Sequence, residues 1–195
     1  GELDGFDFLG LLKRTFPAFD SIFLDNDAVM QAQGGLLAFP NLQRAQGVFV
    51  GPGTGLGGAW IDNGNVSPFS LSTYLLHGRA AEQLISGSAF YQLTGFSAFE
   101  VSQSQDLFQT FTPTIQQMGV HLGELMCDIL QSRPFEWIMV GGSLGTAAPF
   151  NEILLKQAKQ VMLNSGLNLP WIVLSSPDTL ACWGAVYRSH LRISL

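Results

Sequence analysis

The chain has 195 residues, 47% hydrophobic and only 12% charged, enough apolar material for one substantial core and too much for a disordered segment. Nine basic against fifteen acidic residues give a net charge of −6 with no Lys/Arg cluster, so the electrostatic footprint of a nucleic-acid binder is lacking. No apolar run approaches the ~20 residues of a membrane-spanning helix, and Cys127 and Cys182 lack the Cys-x-x-Cys spacing of a disulfide or zinc framework.

The expected compartment is the cytoplasm. With neither an initiator Met nor a secretory leader, the chain is expected to begin partway through a longer protein or to follow a removed segment.

In chain order, Asp7 can cap a short helix that carries Phe8, Leu9, Leu12 and Phe16 and stops at Pro17. Ser21 to Leu24 reads as a strand running into Asp25-Asn26-Asp27, with a helix from about Ala28 to Gln33 and a loop over residues 34 to 46. A polar triplet at the end of a strand and the start of a helix is where α/β sheets bind ligands, and equally where Asn26 or Asp27 would serve as a plain N-cap. Val48 to Val50 and Ala59 to Ile61 read as a hairpin, and Asn63-Gly64-Asn65 as a second turn. From Gly78 the spacing of Ala81, Leu84, Ile85 and Ser88 predicts a helix interrupted at Ser86-Gly87.

Thr112-Pro113 suits the start of the longest helix, whose apolar positions run from Ile115 to Leu130 and make Met118 and Met126 core residues. Trp137 to Val140 is a buried strand ending in Gly141-Gly142-Ser143. A helix with Phe150, Leu154 and Ala158 follows and stops at Gly166. Trp171 to Leu174 is a last strand before a helix from about Thr179 to Arg188. Strands alternating with helices after a hairpin indicate one α/β lobe, residues 1–195, with a mixed sheet flanked by helices.

The stretch Gly51-Pro-Gly-Thr-Gly-Leu-Gly-Gly58 carries the densest signal. Glycines remove Cβ atoms where a backbone needs positive φ or close approach to a ligand, and Thr54 adds a hydroxyl, which suits phosphate oxygens; a tight hairpin that needs glycine for geometry alone reads the same way. A P-loop is excluded by the missing Gly-Lys-Ser/Thr, and a dinucleotide fold by the strand, rather than helix, that follows.

Three spaced elements coincide: Asn26-Asp27, the glycine hairpin, and Gly141-Gly142 after a later strand. Together with Glu82-Gln-Leu-Ile-Ser-Gly87, similar to a Glu-x-x-x-Ser-Gly segment, and Ala181-Cys-Trp-Gly-Ala185, they resemble the sugar kinases of the ROK and bacterial glucokinase families in the actin-like ATPase superfamily. The resemblance implies an actin-like ATPase (ribonuclease H-like) lobe that works with ATP and Mg2+ on a hexose. It implies Asp27 as catalytic base, Asn26 and Glu82 as sugar contacts, and Gly53, Thr54, Gly55, Gly141 and Gly142 beside the nucleotide. Without the resemblance, Glu82 reads as a solvated helix glutamate.

Residues 62 to 77 depart from the family pattern: they contain neither its Glu-x-x-His sugar motif, Tyr74 standing three residues before His77, nor a cysteine-rich zinc site, so no metal ligands are expected. The family's Asp-x-Gly-x-Thr phosphate loop is also missing, which implies an absent amino-terminal lobe. A homodimer is left open as an assembly. The implied activity is transfer of the γ-phosphate of ATP to a sugar hydroxyl, with a non-catalytic sugar- or nucleotide-sensing module as the alternative. The Gly-Thr-Gly turn is expected on the same side of the sheet as Asp27 and Gly141.

Overall fold

The computed structural model describes residues 7–19, 22 and 24–193, with the side chains of 191–193 outside that description. Five strands form one mixed sheet. β1 (Gly47–Pro52) pairs antiparallel with β2 (Leu56–Asp62), β2 likewise with β3 (Asn65–Pro68), and β1 lies parallel to β6 (Trp137–Val140), which lies parallel to β7 (Trp171–Val173). The order is therefore β3-β2-β1-β6-β7. A small ribbon of β4 (Leu75–Leu76) and β5 (Arg79–Ala80) stands apart from it. The expected hairpin has Val48 opposite Trp60 and Val50 opposite Gly58, and Asn63 and Gly64 both adopt positive φ in the turn to β3.

The central strands are covered on both faces, which explains their unbroken apolar runs. Alternate residues point opposite ways. Phe49 and Met139 join Val29, Ala32 and Leu36 of α2 (Asp27–Ala38), while Val48, Val50, Ile138 and Val140 join Leu122, Leu125 and Met126 of α5 (Gln105–Ser132) and Leu154 of α7 (Phe150–Asn164). Met118 and Met126 are core residues, as the spacing predicts. Cys127 is buried, whereas Cys182 is exposed on α8 (Pro177–Ile193).

Several boundaries differ from the sequence reading, each for a tertiary reason. In the expected strand 21–24, Ile22 and Leu24 have no regular structure, and Ser21 and Phe23 lie outside the described residues. Helix α2 does not end at Gln33 but runs on through Gly34 and Gly35 to Ala38. Those glycines let other groups come close: a Cβ on Gly34 would stand 1.8 Å from the Leu180 carbonyl oxygen of α8, and one on Gly184 would stand 2.0 Å from the Met30 carbonyl oxygen of α2. What reads as a loop in sequence is a helix seam.

Residues 78 to 85 do not form the expected helix. They form β5, a 3₁₀ turn at Ala81–Gln83 and a short link, and Ser86 caps a separate helix α3 (Gly87–Thr94) by accepting the Ala89 N–H at 3.0 Å. A capping box of Ser97 and Glu100 starts α4 (Ala98–Ser102).

The longest helix begins at Ser104 rather than Thr112, and Pro113 lies inside it. An interior proline costs about 3 kcal/mol. The turns before it are held by packing, with Leu107, Phe108 and Phe111 against the core and the Phe111 ring 6.2 Å from Phe90 and 5.8 Å from Phe96. A short first helix, α1 (Phe8–Thr15), is capped by Asp7 as expected, and a four-residue helix, α6 (Ser143–Thr146), follows β6.

Alanine exceeds glycine in helix propensity by about 1 kcal/mol. At Gly34 the opposite outcome is expected: Gly34→Ala should lower unfolding free energy by about 1–3 kcal/mol, because a methyl there meets backbone that cannot rotate away. Urea unfolding measures it, and a stabilised variant would contradict the seam.

Candidate functional site

The turn between β1 and β2 is closed by the Gly53 N–H donating to the Gly55 carbonyl at 2.9 Å, and its shape is fixed from outside. The first turn of α3 supplies the donors. Gly87 N–H reaches the Gly53 carbonyl at 2.7 Å, and Ser88 gives both its N–H and its hydroxyl to the Thr54 carbonyl, at 3.0 and 2.9 Å. Half-buried Glu82, in the 3₁₀ turn just before α3, accepts the Leu56 N–H on Oε2 at 3.0 Å. A Cβ on Gly55 would come 2.7 Å from that oxygen, so a side chain there would push Glu82 off the Leu56 N–H, although Gly55 has no positive φ.

Across from the turn lies the start of α2. Asn26 caps the helix by accepting the Val29 N–H at 3.2 Å, and Asp27 Oδ1 accepts the Ala28 N–H at 2.8 Å; both side chains are exposed. The entry to α2 is held by Asp25, which accepts from Arg188 Nε at 3.0 Å, while Arg188 Nη1 donates to the Val66 carbonyl at 3.0 Å. α8 and β3 thereby fix where Asn26 and Asp27 sit.

These groups line one cleft of about 450 Å³ together with Gly142 and Ser143. Of the residues singled out from sequence, Asn26, Asp27, Gly53, Thr54, Gly55, Glu82 and Gly142 meet there. Gly141 does not; it lies behind the wall, where a Cβ would meet the Phe49 ring at 2.6 Å and Gln31 Oε1 at 2.5 Å. Gly142 has φ +69° and gives its N–H to Gln31 Oε1 at 3.1 Å. The turn thus lies at the same end of the sheet as Asp27 and the Gly141–Gly142 pair.

Among the lining residues that escaped the sequence reading are Gln31, Asp178 and Ser143. Gln31 follows Asp27 by four positions and so shares its helix face, a spacing visible in sequence. Asp178 in the first turn of α8 and Ser143 join only through the fold. A second cleft of about 570 Å³, lined by Tyr91 and Phe99, meets the first at Gly53, Thr54 and Ser143. Among the described residues no Lys or Arg lines either cleft, while Asp27, Glu82 and Asp178 bring carboxylates. A phosphorylated ligand would therefore have to be held by amides, hydroxyls and a cation. Among the described residues, no helix is long and apolar enough to cross a membrane.

No family sequence model and no curated protein sequence matches the chain. Its fold is nonetheless shared with solved structures. The ROK hexokinase from Thermus thermophilus superposes with a TM-score of 0.72 at 17% identity, over 97% of this chain and 73% of that one. A ROK family glucokinase from Streptomyces griseus, solved with glucose and AMPPNP, gives 0.64 at 14% identity over 83% and 66%. A ROK family transcriptional regulator homologous to the E. coli MLC protein gives 0.62 at 16% identity over 80% and 49%. The chain shares the fold of these ROK structures, and it spans from about half to three quarters of their length.

Glu82 holds the hairpin whatever else it does. Glu82→Ala leaves the Leu56 N–H without its partner and should cost about 1–2 kcal/mol, whereas Glu82→Gln keeps an acceptor and should cost little. Equal losses for the two variants in chemical denaturation would remove this anchoring role.

Proposed function

We propose that this chain is the carboxyl-terminal lobe of an ATP-dependent hexose kinase, with the nucleotide held between it and an amino-terminal lobe. The observation that carries the reading is that Asp27 and the Gly53–Gly55 turn face one cleft, with Asn26 and Glu82 in its wall. Phosphoryl transfer is mostly a matter of positioning and charge stabilisation, so a carboxylate beside the attacking hydroxyl is enough for a base. Asp27 takes the proton of the sugar hydroxyl, and Asn26 and Glu82 hold neighbouring hydroxyls. The turn meets the phosphates through backbone amides and the Thr54 hydroxyl. Gly142 and, behind it, Gly141 keep that wall low for the nucleotide.

Among the described residues the cleft lining has no cationic side chain, so the charge of the transferred phosphoryl group calls for Mg2+, which hard carboxylate oxygens suit. Likeness in fold to a glucokinase solved with glucose and AMPPNP supports the substrate pair. The missing Glu-x-x-His between residues 62 and 77, and the likeness to a ROK regulator, favour a second reading as a sugar-sensing module.

Asp27→Asn, made in the protein that joins this lobe to its partner lobe, separates the readings. As base, Asp27 should be worth on the order of 10²–10⁴ in kcat, with sugar binding largely kept. Asn tolerates a helix N-terminus about as well as Asp, so a purely structural Asp27 predicts unchanged stability and turnover. Hexose binding without turnover in the complete wild-type protein would establish the sensing module instead. The 195-residue chain alone is expected to show no appreciable phosphorylation of glucose by Mg-ATP, and turnover by it would refute the two-lobe arrangement.

A further inference from the structure

Away from the cleft, the β4–β5 ribbon rests on the middle of α5, with Leu76 buried in the core and polar contacts on either side of it. Tyr74, just before β4, donates its hydroxyl to Asp128 at 2.9 Å. Beyond it, His77 and His121 converge on one carboxylate oxygen, Glu124 Oε2, from His77 Nε2 at 3.0 Å and His121 Nδ1 at 3.1 Å. His121 and Glu124 are three residues apart on one helix face, and His77 is brought to them by a turn in which it takes φ +52°.

We infer that His77, His121 and Glu124 form a binding site for a divalent first-row transition ion, zinc foremost, that pins the β4–β5 ribbon to α5. The three ligand atoms lie within 4.8 Å of one another. Bonds of about 2.0–2.1 Å in tetrahedral geometry separate neighbouring ligand atoms by roughly 3.3 Å, so both His–Glu separations already have nearly the spacing an ion requires. The remaining gap lies between the two imidazoles, and His77, with 58% of its side chain exposed, has room to rotate toward His121.

The donor set fits the ion class. Two imidazoles and a carboxylate suit zinc and its borderline neighbours and are a poor set for magnesium or calcium, which take oxygen. Burial pushes the Glu124 carboxyl up, but the contacts from His77 and His121 outweigh it and hold the group below the usual carboxylate range.

The surroundings also match a ligand site. Gln117 Nε2 stands 3.2 Å from Nε2 of His121, the ring nitrogen not aimed at Glu124, so that here the amide donates to the ring and Nδ1–H points at Glu124. Turning the Gln117 amide over would bring its oxygen to that nitrogen, where it accepts the N–H and leaves Nδ1 free to bind, the usual support for a metal-bound histidine. A cleft of about 380 Å³ opens beside His77 and Glu124, leaving room for a water or a small anion as fourth ligand. The consequence reaches the candidate active site, because β5 ends at Ala80 and Glu82, which holds the Leu56 N–H, is two residues further on. An ion here would steady the segment that carries Glu82.

The test is metal binding itself, independent of any kinase assay. Chelator-stripped 195-residue chain is titrated with Zn2+ by calorimetry, and with Co2+ for the visible absorption of a low-coordinate ion. One ion per chain is expected, with the imidazole NMR signals of His77 and His121 shifting together. His77→Asn keeps a residue that tolerates positive φ, and Glu124→Gln keeps a hydrogen-bond acceptor. Each should weaken Zn2+ binding by more than about 100-fold, and Gln117→Ala by about tenfold, while Cys182→Ser leaves it unchanged. No stoichiometric ion on the wild-type chain, or equal affinity in His77→Asn and Glu124→Gln, overturns the site and leaves a carboxylate hydrogen-bonded by two histidines.

Discussion

Everything at the candidate site depends on the two ladders of β1. Its antiparallel pairing with β2 forces the chain to reverse at Gly53–Gly55, and its parallel pairing with β6 puts Gly141–Gly142 beside that reversal. A parallel neighbour ends at the same edge, so two separate backbone turns meet at one end of the sheet. Asp27 arrives from a third direction, at the start of a helix whose seam with α8 is set by Gly34 and Gly184. None of these placements comes from the residues at the site alone.

The site is held by backbone groups more than by ion pairs. The carbonyls of Gly53 and Thr54 are bonded by the first amides of α3, and the Leu56 amide by Glu82. This leaves a turn that is rigid yet bare of side chains, the condition for backbone to approach a phosphate. It also gives Glu82 two plausible duties, as hairpin anchor and as cleft wall, which the Ala and Gln variants separate.

The β4–β5 ribbon links this cleft to the middle of α5. Its polar seat on α5, through Tyr74–Asp128 and the His77–Glu124–His121 group, stands where the sequence lacks both the Glu-x-x-His motif and a cysteine-rich zinc site. The ribbon runs directly into the segment bearing Glu82, so whatever steadies it bears on the geometry of the cleft wall.

The sequence by itself determined the hairpin, the two long apolar helices and the strand before Gly141, because these rest on local signals: apolar periodicity, caps, and glycines at turns; the grouping of Asn26 and Asp27 with the glycine turn came from the resemblance to the ROK sugar kinases. It misplaced what depends on partners. Gly34 and Gly35 read as loop because glycine is a poor helix former, yet close approach of α8 needs them inside a helix. Pro113 read as a helix start because its missing N–H is harmless there, yet aromatic packing of Phe108 and Phe111 keeps the helix going. Residues 78 to 85 kept a helical spacing that the ribbon and the 3₁₀ turn ignore. Gly141 behind the wall, the cleft residues Tyr91, Phe99 and Asp178, and the meeting of His77 with His121 and Glu124 across 44 and 47 positions were decided only by the tertiary structure, since no short-range pattern records which distant residues a sheet and its helices bring together.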